Sequence, residues 1–147
     1  MRNYIKVAIL ILFFGISNTT FAKVETDTLT TWKLTKDSEL LIQSNYFNSK
    51  IYTIELNITD EYENLNLFVF YDYNSRIIKR EVKFITENKI IAEFQDENDS
   101  RLAFKLPKKN IDKLVSKSLN DPIAIFYHDH LNKNGILIGL IIFKKND

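Results

Sequence analysis

The sequence predicts a mainly β protein, an antiparallel β-sandwich or meander of about eight to nine strands with one short helix near residues 111–119. Three observations lead to this prediction. Short runs of alternating apolar and polar residues recur at intervals of about ten residues, a spacing typical of sandwiches and barrels. Clusters of Asn, Asp and Ser, which favour turns, separate these runs. Only one later stretch has the apolar spacing of a helix.

Residues 1–22 have the pattern of a secretory signal peptide. Arg2 and Lys6 form a positive start, an apolar run follows, and Ala22 ends a small-residue cleavage motif. The apolar run is shorter than the ~20 residues that a membrane-spanning helix needs. We therefore expect an exported chain, periplasmic or secreted, whose mature part is a single β-rich domain of residues 23–147 without a transmembrane span. The alternative is an envelope protein that keeps this segment uncleaved as an anchor.

Composition narrows the range of partners. Without Arg2 and Lys6 the chain has 18 basic and 19 acidic residues, so no overall positive charge favours nucleic acid. The absence of cysteine excludes disulfides and a thiol nucleophile, and in an exported chain it favours a bacterial source. We expect no nucleic-acid partner.

The first three predicted strands are short. Thr31–Thr35 places Trp32 and Leu34 on one face, and its length and threonines indicate an edge strand. Glu39–Gln43 follows after a turn. Ile51–Ile58 alternates clearly and is predicted to be half-buried.

Residues 65–85 are predicted to form the central hairpin. Their first run is apolar on both faces, with Phe68 and Phe70 opposite Leu67 and Val69, so we expect a strand covered on both sides. The second run alternates apolar with charged residues and should have one solvated face. A polar break between the runs indicates a turn, so the two strands are predicted to pair in the middle of one sheet.

The C-terminal half continues the meander and adds the helix. Ile90–Gln95 and Arg101–Leu106 are predicted strands separated by a polar break. Asn110 is predicted to cap the helix over 111–119. After it, Ile123–Leu131 and Ile136–Phe143 read as strands joined at Asn134-Gly135, the strongest hairpin signal in the chain.

Two histidines are the candidate metal ligands. His128 and His130 are two residues apart, so on a strand both imidazoles share a face and could reach one metal ion. Asp129 would point to the opposite face, and the sequence names no third ligand. Metal binding through the two histidines is therefore kept as an alternative function, and no cofactor is predicted.

Aromatic residues are the candidate binding residues. Tyr46 and Phe47 lie in a polar loop, and Tyr71 and Tyr73 flank the turn of the predicted central hairpin, where exposed rings are expected. Such rings contact sugars or act as hot spots for protein partners. Motifs of nucleophilic, phosphate-binding or metalloprotease sites are missing from the sequence, so we expect no catalysis. The preferred hypothesis is an exported, non-catalytic β-sandwich domain that binds a protein or a glycan.

Overall fold

Two packed β-sheets contain most of the regular structure. The computed structural model describes residues 30–71 and 76–145, which hold nine strands and one helix and confirm the predicted mainly β sandwich. The predicted signal peptide lies outside these ranges. The elements are β1 Thr31–Lys36, β2 Glu39–Asn45, β3 Thr53–Asn57, β4 Asn64–Phe70, β5 Ile77–Thr86, β6 Lys89–Asp99, β7 Phe104–Pro107, α1 Lys108–Val115, β8 Ile123–His128 and β9 Ile136–Lys144.

The first sheet has the strand order β2-β1-β4-β7, and all of its pairs are antiparallel. The prediction that the first strand forms an edge is wrong, because β1 pairs with β2 on one side and with β4 on the other. Its Trp32 and Leu34 lie on one face, as predicted, and both are buried. The edges of this sheet are β2 and the four-residue β7.

The second sheet has the order β3-β9-β8-β5-β6. Strand β9 lies between β3 and β8, so the apolar C-terminal run forms a buried strand, as predicted. The β8–β9 hairpin is also confirmed, and Gly135 in its turn has a φ of 82°, which glycine adopts without steric cost. The β3–β9 pair is parallel, whereas the other pairs of this sheet are antiparallel.

The predicted central hairpin is wrong in its pairing. Strands β4 and β5 lie in different sheets, because β4 pairs with β1 and β7 while β5 pairs with β6 and β8. The chain between them therefore crosses from one layer to the other. Strand β4 is also covered on one side only, since Phe70 on its outer face is 40% exposed.

The inward faces of both sheets form one hydrophobic core. Alternate residues of the strands are buried, including Val82 and Phe84 of β5 and Leu65 and Leu67 of β4. The indole nitrogen of Trp32 donates a hydrogen bond of 3.4 Å across the layers to the carbonyl oxygen of Ile138.

The helix starts and ends earlier than predicted. It spans Lys108–Val115, and Pro107 rather than Asn110 precedes it, since a proline fits a helix start where no amide hydrogen bond is needed. Ile111 and Leu114 face the core, as predicted. The helix stops before Leu119, which forms an isolated parallel bridge with Phe143 and is 40% exposed.

The polar break expected after Gln95 is part of a strand. Strand β6 continues through Asp96 to Asp99, paired with β5 over its whole length. A buried ion pair between Arg80 and Asp96 accompanies this extension. The β5–β6 ribbon consequently projects beyond the end of β8, whose His128 pairs with Glu81.

Candidate binding site

A groove opens where the projecting β5–β6 ribbon faces the turn after β8. It has a volume of about 990 Å³. One wall is formed by the start of β5 and the end of β6, and the other by residues 128–130 and Lys133. The groove follows from the difference in strand length, because the shorter β8 ends where the ribbon continues.

The structure brings both histidines into this groove. His128 is the last residue of β8 and His130 lies just beyond the strand, so the two reach the same side. The Nδ1 atom of His128 is 3.4 Å from the carbonyl oxygen of Lys133. Its ring also lies against Gly135, where a Cβ atom would come within 2.5 Å of the imidazole. The ring is thus held by the hairpin turn.

A third metal ligand is not supplied by the described residues. Within 30–71 and 76–145, no group of three or more His, Cys, Asp or Glu side chains is placed to hold a metal ion. Asp129 is turned into the protein instead of toward the histidines. The metal hypothesis therefore remains a prediction that rests on two ligands.

Sequence reasoning missed a buried network centred on Asp129. This carboxylate is 8% exposed and accepts hydrogen bonds from the hydroxyl groups of Tyr71 and Tyr127, the latter at 2.9 Å. Its other oxygen accepts the backbone N–H groups of Leu131 and Asn132, both at 2.8 Å. Because Tyr71 follows β4 and Tyr127 belongs to β8, the network joins the two sheets. We refer to Tyr71, Tyr127, Asp129 and Asn132 as the clamp.

Protonation in the clamp follows from burial and hydrogen bonding. Burial alone would raise the pKa of Asp129, but the hydrogen bonds from Tyr71, the Asn132 backbone and Tyr127 outweigh it and hold that pKa below its ordinary value. Burial and the neighbouring Asp129 raise the pKa of both phenols. The clamp therefore holds an ionised carboxylate between two neutral phenols at neutral pH.

Sequence reasoning also missed the buried Arg80, although the alternation of residues along β5 indicated that its side chain points inward. Arg80 lies on the inward face of β5, between Ile78 and Val82, and is only 3% exposed. Its Nε and Nη2 atoms donate to Asp96 at 2.8 and 2.5 Å, and Nη1 donates to the carbonyl oxygen of Leu102 at 2.6 Å. The guanidinium group also lies 5.5 Å from the centre of the Phe104 ring. Its donors are engaged within the protein, so Arg80 has a structural role.

Exposed apolar side chains concentrate at the same end of the sandwich as the groove. Seven of the ten large hydrophobic residues that are exposed in the described ranges stand in the loops or strand ends there, including Leu102 after β6. We define the other six as the tip surface: Tyr46, Phe47, Ile51, Phe70, Ile77 and Leu131. Leu40 and Ile90 stand at the opposite end.

Strand pairing and cavity linings relate the members of the tip surface to one another. Thr31 of β1 pairs with Asn45 on one side and with Phe70 on the other, so one strand separates Phe70 from the segment that begins at Tyr46. A second cavity of about 250 Å³ is lined by Tyr46, Ile51 and the start of β9. Leu131 belongs to the turn that forms one wall of the groove, opposite Ile77.

The predicted binding residues have different outcomes. Tyr46 and Phe47 are 70% and 73% exposed, in an edge-to-face pair with ring centres 6.3 Å apart, and their role in binding stays a prediction. Tyr71 is half-buried and its hydroxyl belongs to the clamp, so its predicted exposure is wrong. Tyr73 lies outside the described residues. Phe70 was missed as a surface residue because a strand apolar on both faces was taken to be covered on both.

The chain was compared with protein-family models, curated proteins and solved structures. None of them matches it. The candidate site therefore rests on its own geometry. The described part of the chain contains no helix that is long and apolar enough to cross a membrane.

Proposed function

We propose that this chain is an exported, non-catalytic β-sandwich domain that binds a partner in the periplasm or outside the cell. The observation that supports the proposal most directly is the tip surface. Large exposed apolar side chains are ordinary when scattered, whereas a cluster at one end of a domain is typical of an interaction site. Aromatic residues such as Tyr46 and Phe47 are common anchors in interfaces.

Of the two partner classes, a protein fits the tip surface better than a glycan. Aromatic rings stack on sugars, but Ile51, Ile77 and Leu131 are aliphatic and offer no flat face for stacking. Branched aliphatic side chains bury readily against a protein surface. The clamp supports this role, because it fixes the turn that carries Leu131.

Affinity capture tests the proposal. The full chain, with a C-terminal tag and its own N-terminal segment, is expressed in the producing cell and recovered from envelope and medium. We expect a specific partner protein that is lost with the double variant Tyr46→Ser/Phe47→Ser. The matched control, Leu40→Ser/Ile90→Ser, removes two exposed apolar side chains at the opposite end and should keep the partner. Equal capture by both double variants would contradict the proposal.

The same preparation tests export and the anchor alternative. The mass of the recovered chain reveals whether residues 1–22 have been removed. We expect a chain that starts at Lys23. A recovered chain of full mass, held in the membrane fraction, would favour the anchored envelope protein instead.

A further inference from the structure

In the described segments around the tip surface, the exposed charges have one sign. In the described segments 45–52, 70–71, 76–77 and 129–136, the charged side chains other than histidine are Lys50, Arg76, Lys133 and Asp129. Asp129 is buried in the clamp, whereas both lysines are exposed. In the neighbouring β6–β7 turn, Asp99 is paired with Arg101 at 3.0 Å. The exposed charge of these segments is therefore positive, although the whole chain is nearly neutral.

Most charged side chains that line the groove beside the tip surface stand in pairs of one acid and one base. Two of its acids are engaged, since Asp96 pairs with Arg80 and Glu81 pairs with Lys83 at 2.6 Å. Lys79 and Glu97 face each other across the ribbon, and Lys133 stands on the opposite wall. The groove thus adds Lys133, on the wall opposite the apolar and exposed Ile77.

We infer that the tip surface and the groove bind a protein segment that carries acidic side chains next to an apolar anchor. The inference rests on the proposed function and names the chemistry of its partner. Apolar anchors would cover the tip surface, and carboxylates would lie near Lys50 and Lys133, because complementary charge steers and orients association. A flat lipid surface matches the charge but would contact only the mouth of the groove, whereas an extended segment can enter it.

A displayed library of random peptides, selected against the tagged full chain, tests this inference. We expect enrichment of peptides in which Asp or Glu flank Phe, Leu or Ile. The charge-reversal variant Lys50→Glu/Lys133→Glu should weaken a selected peptide by at least about tenfold, and added salt should weaken it for the wild type. The matched control, Lys109→Glu/Lys113→Glu, changes the net charge equally on exposed positions of α1 and should leave the affinity within about twofold.

Failure of this inference can be told apart from failure of the proposed function. Selected peptides that lack acidic residues, but are lost with Tyr46→Ser/Phe47→Ser, would overturn the acidic partner and leave the binding domain in place. A chain that enriches no peptide but binds vesicles of phosphatidylglycerol, and not of phosphatidylcholine, would also overturn the acidic protein partner and leave the binding domain in place. Selected peptides whose affinity is the same for the wild type, for Tyr46→Ser/Phe47→Ser and for Lys50→Glu/Lys133→Glu would overturn both proposals.

Discussion

The hydroxyl group of Tyr71 donates a hydrogen bond to the carboxylate of Asp129, and this bond joins the end of one sheet to the end of the other. Tyr71 directly follows β4 and Asp129 directly follows β8. Both strands end beside the groove, so the contact fixes the separation of the two layers where the candidate site lies. The following predictions begin with this contact.

Removing the carboxylate should cost more stability than removing one phenol hydroxyl. Asp129→Ala leaves two buried hydroxyls and two backbone N–H groups without their acceptor, which we expect to cost about 3 kcal/mol, whereas Tyr71→Phe should cost about 1 kcal/mol. Urea unfolding of the two variants measures the difference. Equal midpoints for wild type and Asp129→Ala would show that the clamp contributes nothing to stability.

Acid should weaken the fold through the same residue. The pKa of Asp129 is lower in the folded than in the unfolded chain, so its contribution is complete above the ordinary value of 3.8 and is lost as pH falls through the folded value. Urea midpoints measured from pH 7 to pH 2 should therefore decline below about pH 4. The decline should be shallower for Asp129→Asn, which cannot ionise; an unchanged slope would assign the acid sensitivity to other carboxylates.

Removing one partner of the buried ion pair should lower stability more than replacing both partners with apolar residues. Asp96→Ala leaves the Arg80 guanidinium group buried without its carboxylate, which we expect to cost about 3 kcal/mol, the lower end for buried pairs because the Asp96 side chain is 28% exposed. The double variant Arg80→Met/Asp96→Leu should regain most of that loss. Thermal and urea unfolding rank the three chains, and a double variant less stable than Asp96→Ala would contradict the prediction.

Phe70 and Phe84 should respond differently to truncation. Phe84 is fully buried, so Phe84→Ala should cost about 3–5 kcal/mol. Phe70 lies on the outer face of β4, stacked with Phe68, and Phe70→Ala should cost only about 1 kcal/mol while weakening partner capture. Chemical unfolding and the capture assay together separate a core residue from a surface residue. A large loss of stability for Phe70→Ala would argue against an outward position.

Two buried hydroxyl groups make a matched pair for hydrogen-bond energetics. Ser44 Oγ is buried and has no hydrogen-bond partner among the residues that the structure describes, so Ser44→Ala should leave stability unchanged or raise it by up to about 1 kcal/mol. Thr35 Oγ1 donates to the carbonyl oxygen of Asp37 at 2.8 Å, so the isosteric Thr35→Val should cost about 1 kcal/mol. Destabilisation by Ser44→Ala would indicate a partner for that hydroxyl in solution.

Local patterns predicted the strands and the β8–β9 hairpin, but not the pairing of β1, β4 and β5. The alternation of residues along β5 identified its inward face, because side-chain direction depends only on the strand itself. The pairing of β4 with β1 depends on contacts between distant segments, which a hairpin rule based on neighbouring runs cannot represent. The edge position of β1 was wrong for the same reason.

The candidate site was predictable where exposure follows from the loop sequence. Tyr46 and Phe47 were chosen as binding residues from their polar loop, and both are exposed. Asp129 was unpredictable, because its partners Tyr71 and Tyr127 reach it from different sheets. The buried ion pair of Arg80 could have been predicted, since Arg80 interrupts the row of apolar residues on the inward face of β5 and an inward arginine needs a buried acceptor.

The parallel pairing of β3 with β9 determines when the domain can finish folding. Strand β3 belongs to the first half of the chain, yet its hydrogen-bonded neighbour is the final strand. Closing so long a loop is slow, and β8 likewise lacks one of its two neighbours until β9 arrives. The second sheet is therefore completed only once β9 has been made, although β5, β6 and β8 can pair before it. A chain truncated before Ile136 would leave β3 without a partner strand, so the completion of this sheet requires two distant segments of the chain to meet.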